Sequence, residues 1–450
     1  MRAPFFAALP LTLAAVAQAQ TLPEAMQHAL EVHPEVQAGV NARMSADYAV
    51  KSAQGGYLPR VDVLAGYGRE GTDSPTTRAA SGDDRYTTLN RGEASVRLQQ
   101  MIFDGFATQN EVARQQSTAN SRAYSLLGTS ESTALKVAQA YLDVLARREY
   151  VRLADENLKN HRRILDQIQL RTSRGIGRNA DLDQAEARVA QAENNLLTEQ
   201  TNLNDANTTY YSVVGMAPDE LVAPAPGGIA LFPASLDEAR AQMVASSPVL
   251  RSAEADIAAT EKQYTAAKST YYPRFDAELA KNADNNVSGE EGHYNGWSAM
   301  VRMQFNLYAG GSNSADLQSK AYQSSQALDI RNNALRQLNE ELGLAWSAYD
   351  NAKRQRPIAE QYVTRSERVR TAYQSQFSLG ERTLLDLLDS ENESFTARRR
   401  LEEVKYLERF SQYRIQAAMG ELLKSQGVVA PLATVVQHDI KPEVKLPGMN

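Results

Sequence analysis

Apolar and polar residues alternate in four short stretches of this chain, and each stretch lies between long segments of helical periodicity. Residues 60–67 put Val61, Val63, Ala65 and Tyr67 on one face and Arg60, Asp62, Leu64 and Gly66 on the other. Further on, Val96, Leu98 and Ile102 oppose Ser95, Arg97 and Gln99. Phe275, Ala277 and Leu279 oppose Arg274, Asp276 and Glu278, and Trp297, Ala299, Val301, Met303, Phe305 and Leu307 oppose Ser298, Met300, Arg302, Gln304 and Asn306. A period of two held over about ten residues predicts strands long enough to cross a membrane, at approximately 60–68, 94–103, 274–282 and 297–307. Segments 68–92 and 283–296, rich in Gly, Ser, Thr, Asn and Asp, read as external loops. Trp297, Phe103 and Tyr308 stand near strand ends, where an interfacial aromatic belt would lie. The same alternation also suits a half-buried sheet in a soluble protein.

The helical segments are unusually long. A helix over Glu35–Tyr57 stops at Pro59. From about Gly105 to Thr172 there is no proline and one interior glycine, Gly128, so a continuous helix there would be on the order of 100 Å long. Its counterpart from Gly311 to Phe377 is interrupted only by Gly343 and Pro357. Val137, Val144, Val151, Leu158 and Leu165 recur every seven residues, as do Leu182, Val189, Leu196, Leu203 and Tyr210. Ala185, Ala192 and Ala206 each follow a member of the second run by three, which is coiled-coil spacing with small residues for close approach.

Two turns connect these helices. Arg171–Asn179 contains Gly175, Gly177 and Arg178; Ser378–Arg382 contains Gly380 and Glu381. Glycine permits the reversal, and Asn179 and Thr383 are suitable N-caps for the helices that follow. Asp386 and Asp389 are three apart and share a helix face. Thr383-x-x-Asp386 also has the form of a capping box.

The chain is written twice. Leu22-Pro-Glu24-Ala25 returns as Leu236-Asp-Glu238-Ala239, and Tyr57-Leu-Pro59-Arg60-Val-Asp62 as Tyr271-Tyr-Pro273-Arg274-Phe-Asp276, both 214 residues later. Val96-Arg97-Leu98-Gln99 returns as Val301-Arg302-Met303-Gln304 at an offset of 205. The boundaries this implies are a first repeat at 20–234, a second at 235–420 and a tail at 421–450. Ahead of them, Met1-Arg2, an apolar run from Ala3 to Val16 and Ala17-Gln18-Ala19 compose a secretory signal peptide at 1–19, so that the mature chain begins at Gln20. An exported chain with no later apolar stretch of about 20 residues cannot cross a membrane as helix. Four strands cannot close a membrane barrel either, because the smallest barrels have about eight. Chains must share one: two would give about 8 strands and three about 12.

Composition removes most enzyme chemistry. There is no cysteine, and His28, His33, His161, His293 and His438 show no ligand spacing. No P-loop, GxGxxG or GxSxG is present, so no cofactor is expected and the chain does not read as an enzyme. A net charge of −6 leaves no basic excess for nucleic acid. Arg354, Arg356, Arg365, Arg368 and Arg370 read as a solvated helix face.

The duplicated Leu-x-Glu-Ala and Tyr-x-Pro-Arg segments, the aromatic-x-Gly at Phe103-Asp-Gly105 and Tyr308-Ala-Gly310, and the turn Gly380-Glu-Arg382-Thr383-Leu-Leu-Asp386-Leu-Leu-Asp389 together resemble the TolC family of outer-membrane channel proteins, over about residues 21–420. The resemblance implies a mainly α fold with a membrane β-barrel: a homotrimer sharing a barrel of about 12 strands, continued by a tunnel of long helices into the periplasm. It implies an outer-membrane location in contact with lipid, a periplasmic adaptor protein, and an inner-membrane ABC transporter or other pump. Asp386 and Asp389 would ring the periplasmic entrance, Arg382 would help hold it closed, and Gly175, Gly177, Arg178, Gly380 and Glu381 would meet the adaptor. Phe377 stands where the family can carry a hydrogen-bonding tyrosine. Ser390-Glu391-Asn392-Glu393 and Arg398-Arg399-Arg400 look most like members serving type I secretion of a polypeptide. A drug-efflux channel and an exported soluble coiled-coil structural protein are the alternative readings.

Overall fold

The computed structural model describes residues 20–81, 86–224 and 232–436. The expected signal peptide, the linker residues 225–231 and the end of the tail with His438 lie outside the described residues. Helices α1 (Leu22–Val32) and α2 (Pro34–Gln54) lead into strand β1 (Arg60–Thr72), the short helix α3 (Pro75–Ser81) and strand β2 (Thr87–Phe103). Two long helices follow, α4 (Ala107–Ser173) and α5 (Asn179–Val214). The order then recurs: α6 (Leu236–Ser246), α7 (Pro248–Ala267), β3 (Arg274–Asn285), β4 (His293–Gln304), α8 (Ser312–Leu379) and α9 (Leu384–Met419), closed by α10 (Leu422–Ser425). Helices α4 and α8 have 67 and 68 residues, and α5 and α9 have 36 each. The duplication seen in the sequence is therefore a duplication of architecture.

The four strands form one antiparallel sheet in chain order. Val61, Leu98, Leu279 and Ala299 align across it, and Val63 and Val96 stand in the next row with Lys281 and Trp297. This face is apolar and bare: Val63 is 72 %, Val301 67 % and Trp297 79 % exposed. The opposite face carries a lattice of charge, in which Glu278 receives Arg97 and Arg302, each at 3.0 Å, and Asp276 receives Arg274 at 2.8 Å. Arg60 and Asp62 pair at 2.8 Å on the same face. Ladder hydrogen bonds satisfy the backbone within the sheet but leave the outer edges of β1 and β4 unpaired.

The structure changes the strand reading in several places, and in the second hairpin β3 runs on to Asn285 and β4 starts already at His293. A register shift between Met101 and Phe103 makes Ile102 the extra residue, so Phe103, paired with Phe275, continues the apolar face. The first hairpin stays paired as far as Thr72 and Thr87, and its loop holds α3 where a plain loop was expected. Gly289 in the second hairpin turn (φ 79°) packs so tightly on Thr77 of α3 that no side chain fits. Strand β4 ends at Gln304, three residues early, because the Asn306 side chain accepts the Tyr308 amide at 3.1 Å and turns the chain toward α8.

The long helices pack in pairs, α4 with α5 and α8 with α9. The second seam is built of small residues seven apart: Ala345, Ala352, Ala359 and Ser366 on α8, and Ser390, Ala397, Val404, Ser411 and Ala418 on α9, of which all but Val404 are small and all are buried. In the first pair Val137, Val144 and Leu158 are buried, whereas Val151 and Leu165 are half-buried. The main core lies at the middle of the helical body, where α1, α5 and α10 close over α4 with Met26, Leu30, Leu126, Tyr141, Tyr210 and Leu422. Among the described residues, no helix is long and apolar enough to cross a membrane.

Candidate functional site

The two helix-to-helix turns lie at the far end of the helices from the sheet. Helix α4 closes on Arg171, whose carbonyl accepts the amides of Ile176 and Gly177 at 3.0 and 3.1 Å. Gly175 is left-handed (φ 76°), and a side chain at Gly177 would strike Thr172. Because the turn closes this early, Arg178 becomes the extended N-cap residue, and its carbonyl receives the Asp181 and Leu182 amides. The expected cap, Asn179, is the first helical residue instead. The second turn follows the expected pattern. Gly380 is left-handed (φ 80°), and the Gly380 and Glu381 amides return to Phe377 and Gln376 at 3.1 and 2.9 Å. Thr383 caps α9: its hydroxyl accepts the Asp386 amide at 3.2 Å and donates to Asp386 Oδ2 at 2.8 Å.

Asp386 is thus engaged in a capping box. Arg382 donates to Gln376 Oε1 at 2.9 Å and lies 4.3 Å from the centre of the Tyr373 ring, tying the turn back to α8. Phe377 is buried, with the Arg171 guanidinium 4.7 Å from its ring centre. It therefore joins α8 to α4 by a cation–π contact where a tyrosine would use a hydroxyl. Gly175, Arg178, Gly380 and Glu381 are exposed.

Above the turns, α9 is fastened to the α4–α5 pair by a ladder of polar ties. Asp389 meets Arg188 of α5 at 2.8 Å. Glu391 is buried and receives Asn160 of α4 at 3.1 Å, with Arg370 of α8 at 3.7 Å; burial raises its pKa despite these partners. Arg398 meets Glu156 of α4 at 2.8 Å, and this contact lowers the glutamate's pKa. At the top, Arg399 meets Glu199 of α5 at 2.9 Å, and Arg147 of α4 approaches the same carboxylate at 3.9 Å. Both arginines lie over Tyr150, 5.1 and 5.9 Å from its ring centre. They also wall a groove of about 710 Å³ between α4, α5 and α9 that includes Lys136, Tyr406 and Phe410.

Several of these contacts were not legible in the sequence. Glu199 occupies the place between Ala192 and Ala206 in a column of alanines seven apart, and that interruption was the available signal. His161 is 4 % exposed, and burial together with Arg188 lowers its pKa. His33 is a cap, accepting the Glu35 amide at 3.3 Å. Arg370 turns inward to Glu391 and Arg356 reaches Glu408 of α9 at 3.4 Å, whereas Arg354, Arg365 and Arg368 stay exposed on α8. Among the described residues, no group of three His, Asp or Glu side chains is placed to hold a metal ion.

The model of the outer membrane efflux protein family matches residues 25–216 and 239–421, one block in each repeat. The outer membrane efflux protein BepC of Brucella suis is 25 % identical over 84 % of this chain and 81 % of its own length. The proteases secretion protein PrtF of Dickeya chrysanthemi is 24 % identical over 87 % of this chain and 86 % of its own. Among solved structures, the CmeC outer membrane channel of Campylobacter jejuni superposes with a TM-score of 0.78 at 14 % identity, over 89 % of this chain and 86 % of its own. These matches set aside the soluble coiled-coil rod. With a duplicated fold, a sheet bare on its apolar face and a body of long paired helices, the chain belongs to the outer membrane efflux protein family and resides in the outer membrane.

Proposed function

We propose that three copies of this chain form a passive conduit through the outer membrane, gated at its periplasmic end and serving type I secretion of a polypeptide. The carrying observation is the open sheet. Its β1 and β4 edges are unpaired, one face is apolar and exposed, and the other carries the Arg97–Glu278–Arg302 lattice. Lipid tolerates no free edge, so β4 of each copy pairs with β1 of the next until about 12 strands close around a charged lumen. Cross-linking of detergent-extracted protein tests this: trimers are expected, and a monomer with unchanged strand content would overturn it.

The tips form the periplasmic entrance. Ile176 and Leu379, one on each turn, are 78 % and 73 % exposed; beside the exposed glycines they offer an apolar contact to a periplasmic adaptor that links the channel to an inner-membrane ABC transporter. Asp386 and Asp389 of three copies bring six carboxylates to the entrance, which favours cations. Opening swings the α8–α9 hairpin outward and breaks the α9 ladder from the bottom. Replacing both aspartates by alanine is expected to reduce cation selectivity in planar bilayers, read as a shifted reversal potential in a salt gradient. An unchanged reversal potential would remove them from the gate.

PrtF, by its name a proteases secretion protein, supports the polypeptide reading; BepC, by its name an efflux protein, supports small-molecule efflux as the second reading. Deleting the gene separates them. Loss of an exported polypeptide with unchanged drug susceptibility supports secretion, and the reverse outcome supports efflux.

A further inference from the structure

Residue 20 is held at every polar atom. Its amide donates to the Glu220 carbonyl at 2.7 Å, and its carbonyl accepts the Val222 amide at 3.0 Å, a short parallel bridge. The Tyr141 hydroxyl donates to the same Gln20 carbonyl, or to that of Val222, each at 2.7 Å. The side chain is gripped separately: Tyr210 donates to Gln20 Oε1 at 2.7 Å, and Gln20 Nε2 points at Met216 Sδ at 3.1 Å. Both tyrosine side chains are fully buried, and burial raises both pKa values, Tyr141 to about 12, so both remain neutral donors. The next residue, Thr21, opens α1 with a capping box to Glu24. This is a built socket, and its occupant is the residue that follows the Ala17-Gln18-Ala19 processing pattern.

An N-terminal glutamine has a reaction open to it that an internal one lacks. The free α-amino nitrogen attacks Cδ of its own carboxamide; the N–Cδ bond forms, the Cδ–Nε2 bond breaks, and ammonia leaves with the amine's proton. The product is a five-membered lactam, pyroglutamate. In the fold the nucleophile is bound to Glu220, while the electrophile is bound to Tyr210 and Met216, so ring closure must break both grips. Closure would also draw Oε1 away from the buried Tyr210 hydroxyl and leave that donor without its partner.

We propose that Gln20 is the mature N-terminus and that the socket of Tyr141, Tyr210, Met216 and residues 220–222 receives it as an open glutamine, blocking its conversion to pyroglutamate. The proposal rests on processing after Ala19 and is independent of which cargo the channel carries. The test uses full-length protein exported to the outer membrane and purified, with the N-terminal peptide weighed by mass spectrometry. The expected peptide begins at Gln20 and retains its carboxamide. On incubation at mildly alkaline pH, protein unfolded in denaturant should lose one ammonia from that peptide at least about tenfold faster than native protein, the effect of one hydrogen bond of ordinary strength. Tyr210→Phe should narrow the ratio while the protein stays folded; if that variant fails to fold, Tyr141→Phe or the wild-type comparison alone decides. A different N-terminal residue, a native protein already cyclised, or equal rates in the native and unfolded states would overturn the proposal.

Discussion

The middle of the helical body and its tip are built from the same four long helices but are held together differently. At the middle, α1, α5 and α10 close over α4 around fully buried Tyr141, Tyr210, Met26 and Leu126. Glu131 shows how completely: it is 4 % exposed and accepts the Leu422 and Leu423 amides at 3.0 and 3.3 Å, so α10 begins on a carboxyl group from α4. At the tip the apolar cluster shrinks to Ile164, Ile168, Ala185, Phe377, Leu384, Leu387 and Leu388. The rest of the cohesion between hairpins is ionic, and Asp389 is more than half exposed. Apolar burial has no cheap alternative in water, whereas an exposed ion pair exchanges readily for hydration. The body is therefore a fixed frame, and the tip is the part that can be moved.

That contrast can be broken at either end. The largest effect is expected in the middle. Glu131→Ala leaves two buried amides without an acceptor and opens a void, at a cost of about 3 kcal/mol in unfolding measurements at neutral pH. Burial pushes the Glu131 pKa up to about 8, outweighing its two amide donors. A raised acid stabilises the fold while it is protonated. Its contribution is complete below the ordinary value of 4.5 and is lost as pH rises through about 8. Glu131→Gln should accordingly flatten the stability profile across that window, and a profile that still falls as in the wild type would show that another group is responsible.

Next comes the top of the ladder, where frame and tip meet. Arg399→Ala strips the nearer partner from the buried Glu199 and should cost about 2 kcal/mol. Glu199→Ala restores the alanine column of α5 and should be close to neutral in melting. The double variant should recover most of the loss; strict additivity of the two would show that the pair is not coupled.

At the tip the effects become small. Thr383→Ala removes one side of the capping box and should lower stability by about 1 kcal/mol, with faster hydrogen exchange confined to the start of α9. Asp389→Asn weakens an exposed ion pair and should change melting by less than about 1 kcal/mol. Even so, amides near the start of α9 should exchange faster while those around Glu131 do not. Equal protection at both sites would erase the distinction between frame and tip.

Much of this was legible before the structure. Alternation at period two marked four strands, and heptads without proline marked helices of tunnel length; both are local, because strand and helix impose their periods on any sequence that buries one face. Thr383 and Gly380 were legible for the same reason, since a cap or a left-handed glycine is set by residues a few positions away. What tertiary structure decided is the set of partners. Arg188 and Asp389 lie 201 residues apart, and Asn160 and Glu391 lie 231 apart, and no periodicity links such pairs. The shift at Ile102, the cap at Arg178 and the burial of His161 likewise depend on where a neighbouring strand, turn or helix comes to rest. The sequence by itself determined which segments extend, which coil and where they reverse. Only packing determined which charges meet, because an ion pair depends on distance in space and that distance is set by the whole fold.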